Sequence, residues 1–227
     1  MEVDRLILGA YQTNCYVLRK SDAAKAYPFD KLRAGSERSR RDCLIIDAGL
    51  GPGQLIGFLK EHELNPAAVV LTHGHIDHIA AVATLREHYP DIRVYIHKLD
   101  AEMLTDPEYN LSALVRPGGF TTKPADSLVE EKSVIEEVGI KLQVLHTPGH
   151  TPGGVCLYSK DEGIVFTNDT LFAESVGRTD FPGGSMDELI KSIKEKLLTL
   201  PDETKVYPGH GPITTIAQEK THNPFLQ

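Results

Sequence analysis

Between Leu71 and His78 the chain reads L-T-H-G-H-I-D-H, so that three histidines and an aspartate fall within six residues. The run just before it, Ala67-Ala68-Val69-Val70-Leu71, is short and apolar, the pattern of a buried strand. The stretch after it, Ile76 to Tyr89, reads as a helix. The donor-rich segment is therefore predicted to be a strand-to-helix turn. A backbone held rigid on both sides lets imidazole and carboxylate groups converge on metal with little further loss of entropy. Gly74 adds no side chain to obstruct that approach. A cluster of this kind reads as a metal site, and any fold that serves it must join a strand end to a helix start.

The rest of the chain supplies such a fold. Leu6 to Leu8, Cys15 to Leu18, Cys43 to Asp47 and Ile92 to Ile96 read as strands, and Gln54 to His62 as a helix stopped by Asn65-Pro66. From Asp106 to Asp126 the chain is loop-like, of the kind that overhangs a site. Val134 to Val138, Ile140 to His146, Gly154 to Tyr158 and Ile164 to Thr167 then alternate with turns, as in an antiparallel meander. A last long helix is predicted from Met186 to about Leu200, with Ser185 and Glu188 as its capping box. Thr204 to Tyr207 reads as a final strand, and Thr215 with Gln218 as the cap of a short terminal helix. The expected class is α/β, with two sheets packed face to face and helices outside, in a single domain over 1–227. Residues 21–41 are basic, polar and aperiodic, and are expected to be an exposed insertion.

Composition narrows the function. A net charge of −8 argues against a nucleic-acid footprint. No apolar run approaches the roughly 20 residues that span a bilayer, and Met1 to Gly9 does not have the form of a signal peptide, so a cytoplasmic protein is expected. Cys15, Cys43 and Cys156 are odd in number and far apart, and are read as buried thiols. The glycine-rich turn from Ala48 to Gly53 lacks the lysine and the spacing of nucleotide-binding loops. Asp47, at the end of an apolar strand, either supports the metal cluster from behind or caps the turn.

Three further strand-end turns carry ligand-type residues: T-P-G-H-T-P-G-G presents His150, T-N-D-T presents Asp169, and Y-P-G-H-G-P presents His210. With H-x-H-x-D-H at 73–78 in front of them, their order and approximate spacing resemble the metallo-β-lactamase superfamily over nearly the whole chain outside 21–41. Within it, T-P-G-H-T-P-G-G, F-T-N-D-T-L-F and G-R-T-D-F look like the glyoxalase II group, the hydroxyacylglutathione hydrolases. The resemblance implies a four-layer αββα sandwich of two mixed sheets. It implies one ion on His73, His75 and His150, a second on Asp77, His78 and His210, and Asp169 bridging both. An all-nitrogen-and-oxygen donor set suits Zn(II), Fe or Mn. Asn168 stands where the family usually has glycine before the bridging aspartate. Arg178 matches a basic residue that contacts glutathione in the family; the other reading is a structural arginine in a turn. Gly211-Pro212 replaces an aromatic of glyoxalase II, and that group's helical C-terminal domain has no counterpart here. The chain looks more like its short single-domain relatives.

The implied reaction is hydrolysis of a small-molecule thioester, S-lactoylglutathione or a related hydroxyacyl thioester, by a hydroxide held between two ions, with Asp77 orienting it or taking its proton. The alternative is a persulfide dioxygenase, an oxidoreductase of the same fold that shares G-R-T-D-F and uses one iron on His73, His150 and Asp169. Of the remaining histidines, His62, His88 and His222 are expected at the surface. His97 and His146 end strands as structural or supporting groups.

Overall fold

The computed structural model describes residues 1–21 and 42–227, so the expected insertion lies, apart from Ser21, outside the described residues. The first half of the chain builds one sheet. β1 (Glu2–Leu8) and β2 (Thr13–Arg19) form an antiparallel hairpin, and β3 (Asp42–Ile46) continues it antiparallel to β2. α1 (Pro52–Glu61), β4 (Asn65–Val70), α2 (Ile76–Ile79), α3 (Val82–His88), β5 (Arg93–His97) and β6 (Ser127–Val129) follow. β3 to β6 lie parallel and in sequence order, giving a mixed sheet β1-β2-β3-β4-β5-β6.

The second half builds the other sheet. β7 (Val134–Glu137), β8 (Ile140–His146), β9 (Val155–Ser159) and β10 (Ile164–Asn168) form the expected meander. A small hairpin of β11 (Leu171–Phe172) and β12 (Ser175–Val176) comes next, then α4 (Met186–Ser192). β13 (Lys205–Pro208) returns parallel to β10, α4 lying in the crossover that such a pair requires. β14 (Thr214–Thr215) and α5 (Ile216–His222) end the fold, in the sheet order β14-β13-β10-β9-β8-β7.

Alternate residues of one strand serve different layers, because successive side chains leave opposite faces of a sheet. On β3 and β4, Ile45 and Val69 face α1 and α3, where Leu55, Leu59, Val82 and Leu85 complete one core. Leu44, Ile46, Ala68 and Val70 face the other way. They meet Leu142, Val144, Leu157 and Phe166 of the second sheet. The outer face of that sheet, with Cys156, Val165 and Val206, is covered by Leu189, Ile193 and Ile216. The order of layers is helix, sheet, sheet, helix, as expected. Strands buried on both faces explain the near-continuous apolar runs.

Both predicted caps are present: Ser185 Oγ accepts from Glu188 N at 3.3 Å, and Thr215 Oγ1 from Gln218 N at 3.2 Å. Two helices differ from expectation. The stretch 76–89 is not one helix but α2 and α3, broken at Ala80-Ala81. Ala81 N donates to Ala48 O at 2.8 Å, and Ala48 N donates to His78 O at 2.8 Å. Tertiary bonds to the turn after β3 thus replace part of the helical ladder. Gly49 makes this approach possible, since a Cβ there would stand 2.3 Å from Asp77 O. The last long helix is α-helical only to Ser192; Ile193–Leu197 widens to a π turn, with Leu198 N donating to Ile193 O at 2.9 Å. β6, β11, β12 and β14 are too short to leave a period in the sequence. Among the described residues no helix is long and apolar enough to cross a membrane.

The three cysteines are free and buried. Burial pushes the Cys15 thiol well above its ordinary value, Cys43 up to about 12 and Cys156 up to about 11. Near pH 8 the nucleophilic thiolate is therefore scarce as well as inaccessible. An aromatic disulfide reagent is expected to label none of the three in the native protein and all three in denaturant. Prompt labelling of one native thiol would contradict this packing.

Candidate metal centre

The ends of strands from both sheets meet at one edge of the sandwich, and the donor residues lie on the turns that leave them. Asp47 follows β3, residues 73–78 follow β4, Asp169 follows β10 and His210 follows β13. His150 lies between β8 and β9. His73, His75, His78 and His150 are buried. The site opens at its other end, where the side chain of His210 is 30% exposed.

His73, His78, His150 and His210 are each aimed by a bond at the far nitrogen, whereas His75 Nδ1 meets His150 Nε2 at 2.9 Å. His78 Nδ1 donates to Asp47 Oδ2 at 3.1 Å. His73 Nδ1 lies 3.3 Å from Thr72 Oγ1, which in turn donates to Asp47 Oδ2 at 2.8 Å. Thr72 N donates to Asp47 Oδ1 at 2.8 Å. Asp47 therefore stands behind both histidines rather than simply capping its own turn. His150 Nδ1 donates to Arg178 O at 2.7 Å, and His210 Nδ1 to Tyr11 O at 3.1 Å. A proton fixed on the outer nitrogen leaves the inner one with a lone pair, as metal ligation needs.

The inner atoms converge. Donor atoms of His73, His75 and His150 lie within 4.8 Å of one another, as do those of Asp77, His78 and His210. A third group, His73, His78 and Asp169, joins the two. Asp169 Oδ1 is 3.6 Å from His78 Nε2, and its Oδ2 lies 3.7 Å from His150 Nε2 and 3.6 Å from His210 Nε2. All seven predicted donors are thus brought to one place, with Asp169 between the two sets. His73 Nε2, His78 Nε2 and Asp169 Oδ1 are buried with no hydrogen-bond partner. Orphaned polar atoms are costly, and a cation among them would satisfy all three, so the residues fit divalent ions.

Protonation follows from burial and charge. Burial, with His78 and His150 nearby, holds His73 well below its ordinary value; burial and His150 bring His75 down to about 3. Both are neutral ligands at physiological pH. Burial alone would raise Asp77 and Asp169, but His78 and His210 together outweigh it and hold both carboxyls well below the usual range. Burial also opposes charge on His210, yet Asp169 and Asp77 raise it to about 9. In the ion-free site, protons on His78 and His210 balance the carboxylates; bound cations would displace them.

Arg178 lies at the rim. Its backbone carbonyl orients His150, while its guanidinium pairs with Asp180 through two 2.7 Å bonds and lies 4.0 Å over the Phe181 ring. Phe181 stands edge-on to His75 at 5.4 Å. His97 and His146 stack on each other at 4.2 Å and are not among the converging donors. Sequence reasoning passed over Thr13, Thr72 and Asp100. Thr13 Oγ1 donates to Asp77 Oδ2 at 3.0 Å. Asp100 is fully buried and bonds Thr151 and Gly153 on either side of Pro152, beside His150. Asp100, three residues beyond β5, carried no local signal of the kind that marked Asp47.

Asn168, in the place of a glycine, has φ 42°, the left-handed conformation that glycine adopts freely and asparagine tolerates. Its replacement by glycine is expected to leave thermal stability nearly unchanged. Asn168→Val is expected to lower unfolding stability by about 1–3 kcal/mol, because a β-branched residue is strained there. Equal melting temperatures for the two variants would contradict the assignment.

A family model described as the metallo-beta-lactamase superfamily matches residues 38–210. The probable metallo-hydrolase YqgX of Bacillus subtilis (strain 168) is 40% identical, over 100% of this chain and 98% of that protein. Hydroxyacylglutathione hydrolase GloC of Haemophilus influenzae is 31% identical, over 100% and 98%. Among solved structures, the BLEG-1 B3 metallo-beta-lactamase superposes with a TM-score of 0.87 at 40% identity, covering 100% of both chains. TTHA1623 in a di-iron-bound form gives 0.80 at 36%, covering 99% of this chain and 100% of that one. ETHE1 from Myxococcus xanthus gives 0.72 at 30%, covering 99% and 84%.

Proposed function

The chain belongs to the metallo-β-lactamase superfamily, and from that premise we propose that it is a metal-dependent hydrolase of small-molecule thioesters. S-lactoylglutathione or a related hydroxyacyl thioester is the substrate class. The observation that carries the reading is the convergence of His73, His75 and His150 with Asp77, His78 and His210 about Asp169. The first three would hold one divalent ion, the second three another, and Asp169 both. The donors suit zinc, iron or manganese. Such ions lower the pKa of water from 15.7 to about 7 and polarise an acyl carbonyl.

The chain's own groups do the rest. Asp77, ionised through the neutral range, places Oδ2 3.4 Å from the partly exposed His210, where it would orient the attacking water or take its proton. Each acidic group at the centre is committed: Asp47 to Thr72 and His78, Asp77 to Thr13 and His78, Asp169 to the ligand histidines. Among the described residues of the centre no spare acid stands ready for a leaving group, which favours one that needs none. A thiol, with an ordinary pKa of about 8.5, departs as thiolate. Arg178, exposed at the rim, would receive an anionic leaving group by exchanging Asp180 for it. The likeness to a protein named hydroxyacylglutathione hydrolase supports the same reading.

A second reading rests on G-R-T-D-F and on the likeness to ETHE1: a persulfide dioxygenase with one iron on His73, His150 and Asp169. Metal counting decides between them. Two ions per chain and thiol release from S-lactoylglutathione are expected. One iron per chain, with oxygen uptake on glutathione persulfide, would overturn the hydrolase. Faster opening of a chromogenic β-lactam than of any thioester would overturn the substrate class. Asp77→Ala is expected to lower kcat by about 10²–10⁴-fold, the range for a lost general base. Arg178→Ala is expected to raise KM for anionic thioesters with kcat little changed, the mark of lost uniform binding.

A further inference from the structure

Asp100, which the proposed chemistry does not use, is a buried carboxylate three residues beyond β5. Its Oδ2 accepts from Thr151 Oγ1 at 2.7 Å, and its Oδ1 from Gly153 N at 2.6 Å. The backbone N–H of Gly74, on the other side, also favours its charged form. Gly153 must lack a side chain here, since a Cβ would fall 2.5 Å from Oδ1. Gly74 lies between His73 and His75, and Thr151 follows His150. One carboxylate therefore fixes the turn carrying His150 from the side of Gly74, which lies between the two other donors of that half-site. The two pieces face each other closely, with His75 Nδ1 2.9 Å from His150 Nε2.

Other bonds hold the same turn from different directions. Val155 N donates to Thr72 O at 2.9 Å at its base, and Ser192 Oγ donates to Pro148 O at 2.9 Å on its outer side. Asp100 holds residues 151 and 153 on the side that Gly74 faces. Asp47, on the opposite flank, reaches only Thr72 and His78, and through Thr72 His73. We infer that Asp100 is a positioning residue that sets the metal affinity of the His73, His75 and His150 half, independently of the other half. The inference rests on the metal-centre reading proposed above.

Zinc affinity tests it, with no dependence on turnover. Ion-free proteins are titrated with Zn(II) against a chromophoric chelator. His210→Ala cripples one half and leaves His73, His75 and His150; His75→Ala does the converse. In the His210→Ala chain, Asp100→Ala is expected to weaken zinc binding about 10–100-fold, the usual cost of losing an outer partner of a metal site. Asp100→Asn, which retains one acceptor oxygen, should weaken it less. In the His75→Ala chain neither change should alter the affinity. Thr151→Val removes a single donor without emptying the pocket, and is expected to weaken the same half by a smaller factor, a check should Asp100→Ala fold poorly. Equal weakening of both halves would reduce Asp100 to a general support of the fold, and no weakening in the His210→Ala chain would also overturn the inference. A wild-type chain that binds no zinc, iron or manganese would instead overturn the metal-centre reading, and this inference with it.

Discussion

Lone pairs that face one another repel, and the centre of this protein places many of them together. His73, His75 and His150 are aimed at a common point, the first two as neutral rings, and two carboxylates adjoin them. Asp77 and Asp169 in turn favour protons on His78 and His210. The surrounding scaffold exists to hold that congestion in place. Burying ionisable groups costs several kcal/mol each unless they are paired. The cost is offset where rings are fixed from behind, as those of His73, His78, His150 and His210 are.

The sandwich supplies those fixings from backbone and from a few polar side chains at strand ends. Asp47 holds Thr72 and His78; the Arg178 and Tyr11 carbonyls hold His150 and His210. Both sheets contribute, so the inter-sheet core around Tyr16, Leu44, Val70 and Phe166 sets the distance between the halves of the site. Tyr16 shows the coupling most directly. Its ring packs 5.2 Å from Phe166, and its hydroxyl donates to Pro208 O at 2.5 Å, two residues before His210. Packing and ligand placement are here the same contact.

What could be read from the sequence follows from how local each feature is. The 73–78 cluster was legible because its donors sit together in the chain. The four layers were legible because doubly buried strands leave unbroken apolar runs. His150, Asp169 and His210 became legible only through family resemblance, since their convergence is a matter of sheet topology. The break between α2 and α3 was hidden because its cause, a pair of bonds from Ala48, lies some thirty residues away. Asp100 was hidden for a related reason. Its partners Thr151 and Gly153 lie far along the chain, and nothing nearby marks it as bound. Arg178 was found, but its pairing with Asp180 two residues on was readable in R-T-D and was passed over.

The last ligand turn is clamped by the first hairpin. Asn14 N donates to Gly209 O at 2.7 Å, and Asn14 Nδ2 to Pro208 O at 2.9 Å, across 194 residues of sequence for the side-chain bond. The same hairpin holds the ring itself, because His210 Nδ1 donates to Tyr11 O at 3.1 Å. The aim of this donor is therefore set by residues nearly two hundred positions before it, and a change in the first hairpin that touches no donor would still displace one.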